Sequence, residues 1–285
     1  DAKNLKDLSA FSDAAMYENK RFKTSDYNFY NGSETLLIEE EKTRSWNKII
    51  KETFETRSVL LLFQPITFTN SKKIHGFEVL SRIKNNLNII SPGEYIGFLE
   101  KNHTIIKYDK MILESALDQA SQIASHPRLM INLSSLSLST ASVADFIIKR
   151  CQYYNYSPKR IVLEITESIE IDDFSAAAGF MMKLKNYGFS FALDDFGAGF
   201  STFNYLTKLP FAYIKIDKKI ITGLLENPID HHVMKSITLL AKSLEIKIIA
   251  EGIESLELSN IVSTYGVDFQ QGYYFSHPKE PQLLG

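Results

Sequence analysis

The sequence predicts a TIM-like (β/α)8 barrel of the α/β class in which the first strand is antiparallel to its neighbours. Two observations predict the barrel. Eight short apolar runs of strand character follow one another from residue 59, and helix-like segments separate most of them. The runs are VLLLFQPI, GFEVLSR, RLMINLS, RIVLEIT, SFALDDF, YIKID, KIIAEG and FQQGYYF.

The connection between the first two runs breaks this alternation. Nine residues, TFTNSKKIH, lie between Ile66 and Gly76, too few for a helix that crosses over the sheet. We therefore predict a hairpin, which makes the first strand antiparallel to the second. An open doubly wound sheet is the alternative, but the sequence lacks the glycine-rich phosphate turn that such sheets carry after their first strand.

Helices are predicted before and between the strands. Residues 34–57 place apolar residues at helical spacing among many charges and predict a linker helix into a barrel domain of residues 58–285. Further helices are predicted over DKMILESALDQASQI, VADFIIKRCQYY, AAAGFMMKLKNYG and HHVMKSITLLAKSL. Residues 1–33 hold one helix-like and one strand-like segment, which is too little to fold alone.

The composition argues against several classes of protein. A net charge of -2 without a lysine or arginine block argues against a surface for long nucleic acid. No apolar stretch approaches the roughly 20 residues of a membrane helix, so no membrane segment is expected in this fragment. The single cysteine, Cys151, fits a cytoplasmic location, although the parent protein can be attached to a membrane. Because the chain begins with Asp1, we expect a piece of a longer protein.

Polar residues interrupt the apolar runs at their carboxyl ends. A buried parallel strand is expected to be almost continuously apolar, so each of these residues needs a reason. In a barrel the carboxyl ends of the strands meet at one rim, where catalytic groups lie. The residues are Glu78, Asn132, Glu164, Asp194, Asp195, Lys215, Asp217, Glu251 and Gln271.

Carboxylates crowded at one rim raise one another's pKa and need cations to stay ionised. The acids and Asn132 offer oxygen ligands without Cys or His, which predicts Mg²⁺ or Mn²⁺ rather than Zn²⁺. One carboxylate of the adjacent Asp194 and Asp195 can bridge two ions, an arrangement suited to phosphoryl chemistry. Beside two cations the pKa of Lys215 is expected to fall, so that it can orient or deprotonate a water. Arg82, on the same face as Glu78, can bind a phosphate.

Structural alternatives remain open for three of these features. Asp217 precedes KKII and can be a helix N-cap. Lys215 can be a salt-bridged barrel lysine without a chemical role. The loop after the Asp pair contains Gly197 and Gly199; it can be a plain turn, or its glycines can let it change shape and reposition Asp195.

Seven motifs together resemble the EAL domain, a bacterial phosphodiesterase domain that cleaves cyclic di-GMP. They are FEVLSR, INLSS, LEITES, LDDFGAGFSTFNYLTKLP, IKID, IIAEGIES and QGYYFSHP, and the resemblance covers about residues 60–278. The resemblance implies a barrel with an antiparallel first strand, two Mg²⁺ or Mn²⁺ ions, hydrolysis of cyclic di-GMP to linear pGpG, and a homodimer.

The resemblance also implies a role for each matched residue. Lys215 matches the water-activating lysine, and it counts as catalytic together with the ligands Glu78, Asp195 and Glu251. Glu167 and Glu254 match acids that lie behind the ligands, and Glu167 matches the one that supports the loop after the Asp pair. Gln64 and Arg82 match positions that touch the substrate, and Gln271 matches a glutamine near the metal site that we group with them. The metal ligands implied are Glu78, Asn132, Glu164, Asp194, Asp195 and Glu251.

A second, shorter resemblance concerns the amino terminus. FSDAAMYENKRFKTSDYNFYN resembles the last helix and strand of a GGDEF domain, which implies that residues 1–33 are the remnant of a GGDEF-like domain that precedes the barrel in the parent chain. The barrel itself departs from the family pattern at several positions, none of which is a ligand: Val79, Ser81, Ala198, Phe200 and Ala212.

Three functions are compatible with these observations. The first is an active metal-dependent phosphodiesterase for cyclic di-GMP. The second is a catalytically silent module that binds cyclic di-GMP, although receptors of this type commonly lose metal ligands and none is lost here. The third is a barrel hydrolase of another class, such as a glycosidase that uses two carboxylates and needs no metal.

Overall fold

The computed structural model describes residues 34–85, 88–166, 173–197 and 206–283, with the backbone alone for residues 34–41 and 283. The chain divides into two compact units, residues 1–55 and 56–285. A helix, α1, begins at Glu34 and ends at Thr56, where the linker helix was expected, and all of it except Thr56 belongs to the first unit. The predicted remnant domain of residues 1–33 lies outside the described residues, and the predicted domain boundaries remain a prediction.

The second unit is built on a sheet of nine strands. Their order is β1-β9-β8-β7-β6-β5-β4-β2-β3, and the pairing of β1 with β2 closes eight of them into a barrel. The strands are β1 Val59–Phe68, β2 Ile74–Asn85, β3 Asn88–Ile90, β4 Leu129–Asn132, β5 Ile161–Thr166, β6 Ser190–Phe196, β7 Tyr213–Ile216, β8 Lys247–Ala250 and β9 Phe269–Gln271. The sequence analysis did not predict the short β3, which pairs antiparallel with the end of β2 and is not part of the barrel.

The reversed first strand is confirmed. β1 pairs antiparallel with β2 and with β9, whereas the other barrel pairs are parallel. The hairpin closes where Phe68 and Lys73 meet, the N–H of Phe68 donating to the carbonyl of Lys73 over 2.9 Å. The last predicted run is too long, because β9 ends at Gln271 and Tyr273–Phe275 lie beyond it.

Helices connect the parallel strands. They are α2 Pro92–Lys101, α3 Ile105–Ser121, α4 Ser135–Leu138, α5 Ala141–Tyr153, α6 Phe174–Tyr187, α7 Lys218–Gly223, α8 Pro228–Ser243 and α9 Leu256–Thr264. The four predicted helices correspond to α3, α5, α6 and α8. The unpredicted ones are short, and ten residues or fewer give too few turns for a helical pattern to stand out. Among the described residues, no helix combines the length and apolarity needed to cross a bilayer.

The interior of the barrel is filled by one apolar cluster, to which seven of the eight strands contribute one residue each. Its members are Ile66, Met130, Val162, Ala192, Tyr213, Ile249 and Phe269. At the amino-terminal end of the barrel, Nη1 of Arg128 lies 2.8 Å from Nε2 of His75 and donates to the hydroxyl of Tyr213 over 2.9 Å. The ring of His75 also packs on that of Phe269, with centroids 4.1 Å apart.

Candidate active site

A ring of polar side chains lies directly above the apolar cluster, at the carboxyl end of the barrel. Side chains two residues apart on a strand share a face. On each of these strands, the residue two positions from the member of the apolar cluster, toward the carboxyl end of the barrel, therefore also points into the barrel. On β1 that residue has the lower number, because the strand is reversed. The ring takes one residue from each barrel strand or from the position just after it: Gln64, Glu78, Asn132, Glu164, Asp194, Lys215, Glu251 and Gln271.

Lys215 lies at the centre of the ring. Its ammonium nitrogen is 2.8 Å from Oε1 of Glu251, 3.1 Å from Oδ1 of Asp194, 3.2 Å from Oε1 of Glu164 and 3.4 Å from Oε1 of Glu78. The Lys215 side chain is 1% exposed and that of Glu164 is fully buried. Four strand ends thus bring their carboxylates onto one buried ammonium group.

These charges determine the protonation of the site. Burial alone would lower the pKa of Lys215, but Asp194, Glu164, Glu251 and Glu78 outweigh it and raise that pKa well above its usual value. The lowering expected from the sequence applies to Lys215 beside two cations and stays a prediction. Burial, with neighbouring carboxylates, raises the pKa of Glu164 well above its usual value and that of Glu251 to about 8.

A break in the β6 ladder brings both adjacent acids into the site. Consecutive residues of a strand normally point to opposite faces. Here the pairing of β6 with β7 shifts between Leu193 and Phe196, and Asp195 adopts a left-handed backbone with φ 55°. The N–H of Asp195 donates to Oδ1 of Asp194 over 3.0 Å. Burial, followed by the charge of Asp194, raises the pKa of Asp195 to about 6.

The acids form two groups that could each hold a cation. One consists of Glu78, Glu164 and Asp194, and the other of Asp194, Asp195 and Glu251, with ligand oxygens within 4.8 Å of one another in each group. The groups share Asp194. The bridging of two ions by one of the consecutive aspartates stays a prediction.

The donor set fits a hard divalent ion. Four carboxylates surround one lysine and a fifth, Asp195, adjoins them, so the site carries excess negative charge when all are ionised. Oε1 of Glu164 is buried without a hydrogen-bond donor in the described part of the chain, although it lies near the Lys215 ammonium. Asn132, an exposed residue at the end of β4, donates from its amide to Oε2 of Glu164 over 3.4 Å. Carboxylate and amide oxygens are ligands that Mg²⁺ and Mn²⁺ prefer.

Two buried glutamines adjoin Glu78. The amide nitrogen of Gln271 donates to Oε2 of Glu78 and, over 3.1 Å, to Oε1 of Gln64. The amide nitrogen of Gln64 donates to the carbonyl of Ser276 over 3.4 Å. Arg82 lies four residues beyond Glu78 on the same strand, where it is half-buried and donates to the carbonyl of Ser81 over 2.8 Å.

Two adjoining cavities meet at the aspartate pair. The first has a volume of about 310 Å³ and opens over the acidic ring. The second, of about 340 Å³, is mainly apolar and shares Asp194 and Asp195 with the first. The first cavity is also lined by residues that the sequence analysis missed, namely Lys218, Gly252, Gly272 and Tyr273. Gly252 directly follows Glu251, and Gly272 directly follows Gln271. Their position next to ring residues was the sequence signal that could have placed them in the site.

The remaining predicted residues lie outside the ring. Asp217 caps α7, its Oδ1 accepting from the N–H of Lys219 over 2.7 Å, as the structural alternative proposed. Glu254 lies at the cavity wall in an ion pair with Lys218. Gly197 has φ 98°. Glu167 and Gly199 are outside the described residues, as is the loop that follows the aspartate pair from residue 198 to 205.

Comparison with known proteins gives consistent matches. The family model described as the EAL domain matches residues 47–278. The cyclic di-GMP phosphodiesterase PdeB of Shewanella oneidensis is 30% identical over 281 residues, 97% of this chain and 33% of PdeB. The probable cyclic di-GMP phosphodiesterase PdeA of Escherichia coli is 30% identical over 237 residues, 81% of this chain and 32% of PdeA. The chain therefore spans about a third of the length of these curated relatives.

A solved structure has the same fold as this chain. The structure described as the PaMucR phosphodiesterase in complex with c-di-GMP superimposes with a TM-score of 0.78 at 26% identity. The superposition covers 85% of this chain and 100% of that one. Its description states that the protein of that structure binds c-di-GMP.

Proposed function

Because the chain belongs to the EAL domain family, we propose that it is a metal-dependent phosphodiesterase that hydrolyses cyclic di-GMP to linear pGpG. The observation that carries this proposal is the ring at the carboxyl end of the barrel, in which four carboxylates surround Lys215 and a fifth, Asp195, adjoins them. The names of PdeB and PdeA and the ligand of the PaMucR structure support the choice of substrate.

The proposed cofactor is a pair of divalent cations, Mg²⁺ or Mn²⁺. Glu78, Glu164 and Asp194 would hold one, and Asp194, Asp195 and Glu251 the other, with Asn132 as a further oxygen donor at the first. When bound, such ions lower the pKa of a water molecule and neutralise the charge that develops on a phosphate.

The chain's own residues position the attacking water and the substrate. Nζ of Lys215 orients the attacking water or takes its proton, a role that requires the surrounding carboxylates to be neutralised so that the Lys215 pKa can fall. A bond forms between the water oxygen and the phosphorus as one phosphate ester bond breaks, and the released ribose oxygen keeps the bonding electrons and takes up a proton. This converts the cyclic dinucleotide to the linear one. Arg82 offers a guanidinium fork to a phosphate oxygen, and Gln271 lies at the cavity wall.

The test is a turnover assay. The protein is incubated with cyclic di-GMP and Mg²⁺ or Mn²⁺, and the products are separated by chromatography, with EDTA as the control. Appearance of pGpG in samples with metal, but not in samples with EDTA, supports the proposal. Absence of pGpG from folded, metal-loaded protein rejects it. Tight binding without turnover in calorimetry would favour the receptor alternative, whereas activity that survives EDTA would favour a metal-free hydrolase.

The proposal extends to the context of the domain. It includes a homodimer, a GGDEF-like domain next to the barrel in a longer parent chain, and a cytoplasmic location. Repeating the turnover assay across protein concentrations, together with light scattering, tests the dimer, since an active dimer predicts a specific activity that rises with the dimeric fraction.

A further inference from the structure

The structure points to a role for Gln64 that differs from the substrate contact its sequence match implies. We propose that Gln64 is a positioning residue that acts through Gln271 to fix the side chain of Glu78. This inference rests on the proposed function in that it treats Glu78 as a metal ligand.

The antiparallel first strand places Gln64 between the two residues it would control. Gln64 is directly opposite Glu78 in the pairing of β1 with β2, and Ile66, two residues further on, is opposite Gln271 in the pairing with β9. Gln64 and Gln271 are therefore diagonal neighbours on the interior face, within side-chain reach. A parallel first strand would give neither of these antiparallel registers.

The hydrogen bonds form one connected chain, which we call the amide relay: Gln271 donates to Glu78 and to Gln64, and Gln64 donates to the carbonyl of Ser276. The carbonyl of Ser276 can only accept, so the amide nitrogen of Gln64 faces it and Oε1 of Gln64 faces Gln271. The amide nitrogen of Gln271 must then face both Gln64 and Glu78. The backbone acceptor at one end thus fixes the orientation of the donor that holds Glu78 at the other.

Burial gives this orientation an energetic consequence. Gln64 is 8% exposed, Gln271 is 3% and Glu78 is 7%, so water does not readily replace a lost partner. If the amide of Gln271 turned over, its oxygen would face the carboxylate of Glu78 and repel it. Without Gln64, only the carboxylate of Glu78 opposes this rotation of the Gln271 amide.

The relay also leaves one polar atom without a hydrogen-bond donor. Oε1 of Gln271 is buried and accepts no hydrogen bond from any described residue. The same side chain donates from its amide nitrogen to Glu78 and Gln64, so the relay keeps this oxygen away from the carboxylate.

The experiment measures Mn²⁺ affinity by electron paramagnetic resonance of free Mn²⁺ for the full chain and for Gln64→Met, Gln271→Met and the double variant. Groups that orient a metal ligand typically change affinity by about 10 to 100-fold. We expect each single variant to weaken Mn²⁺ binding by about tenfold or more. The double variant should be no weaker than Gln271→Met alone, because Gln64 acts only through Gln271.

Steady-state kinetics at saturating Mn²⁺ separate positioning from substrate contact. Positioning predicts that the KM of Gln64→Met for cyclic di-GMP stays within about threefold of wild type, a change worth less than 1 kcal/mol. Unchanged Mn²⁺ affinity with a raised KM, or additive losses in the double variant, would overturn the inference and leave the phosphodiesterase function standing. Failure of the wild-type protein to bind Mn²⁺ would instead overturn the metal-dependent function itself. If Gln64→Met does not fold, Gln64→Asn breaks the same relay, because it is one methylene too short to reach both partners.

Discussion

Lys215 and Glu164 form an ion pair that is removed from solvent: Nζ lies 3.2 Å from Oε1, and the side chains are 1% and 0% exposed. Three further carboxylates compete for the same ammonium. Lys215 therefore neutralises only part of the charge gathered at the barrel rim. The predictions below follow from this imbalance and from the packing that maintains it.

Removing the Lys215 side chain should lower the stability of the folded protein. Lys215→Met is expected to destabilise the metal-free protein by about 3–5 kcal/mol, because it leaves buried carboxylates without a partner. Thermal unfolding in EDTA measures the loss, and added Mn²⁺ should reverse most of it. Lys247→Met is the control, since Lys247 pairs with Asp268 at the surface and such pairs are worth about 1 kcal/mol or less. Equal losses in the two variants would contradict the prediction.

Kinetics should separate Lys215 from the metal ligands. At saturating Mn²⁺, Lys215→Ala is expected to lower kcat by about 10² to 10⁴-fold, the usual contribution of a general acid or base, with little change in KM and no loss of Mn²⁺ affinity. A variant in which KM alone rises would argue against a role for Lys215 in activating water.

Glu78→Ala should empty a metal position. Turnover is expected to fall more than about 100-fold, beyond the range typical of groups that merely support a ligand. Isothermal titration with Mn²⁺ should then show a weakened or missing binding event. Glu94→Ala provides a matched control on the exposed start of α2 and should leave turnover unchanged. An unchanged kcat for Glu78→Ala would remove it from the ligand set.

Gly272→Ala tests the close packing that holds Glu251 beside Gln271. A Cβ at Gly272 would lie 2.1 Å from the carbonyl oxygen of Ile253, two residues after Glu251. The backbone must shift to admit it, so we expect a lowered unfolding temperature and reduced Mn²⁺ affinity. Gly179→Ala, in helix α6 with nothing within 4 Å of the added carbon, should instead stabilise by roughly 0.5–1 kcal/mol. If both variants behave alike, the packing argument is wrong.

His75 should give the fold a pH dependence away from the active site. Burial, followed by the charge of Arg128, lowers the pKa of His75 from 6.5 to about 4. Between these values the unfolded chain binds the proton and the folded chain does not, so stability is present above pH 6.5 and is lost as pH falls toward 4. His75→Gln keeps an acceptor for Arg128 and should flatten the stability profile over this range. A profile with the wild-type slope would show that other groups cause it.

The sequence determined the barrel and most of the ring. Apolar runs separated by helical segments required a parallel sheet, and the nine-residue connection after Ile66 required one reversed strand. The ionisable residues were visible because a buried parallel strand is otherwise almost continuously apolar. The family resemblance, carried by separate motifs, predicted the EAL domain that the family model identifies.

Only the tertiary structure decided how these residues meet. It placed the ammonium of Lys215 among four carboxylates, which outweigh its burial and raise its pKa. It also broke the β6 ladder so that both aspartates reach the site, and it assigned Asp217 to a helix cap. Spacing along a strand gives the face a side chain occupies. The distances between charges depend on strand register and closure around the barrel, which join residues far apart in the sequence, such as Glu78 and Gln271, 193 positions apart.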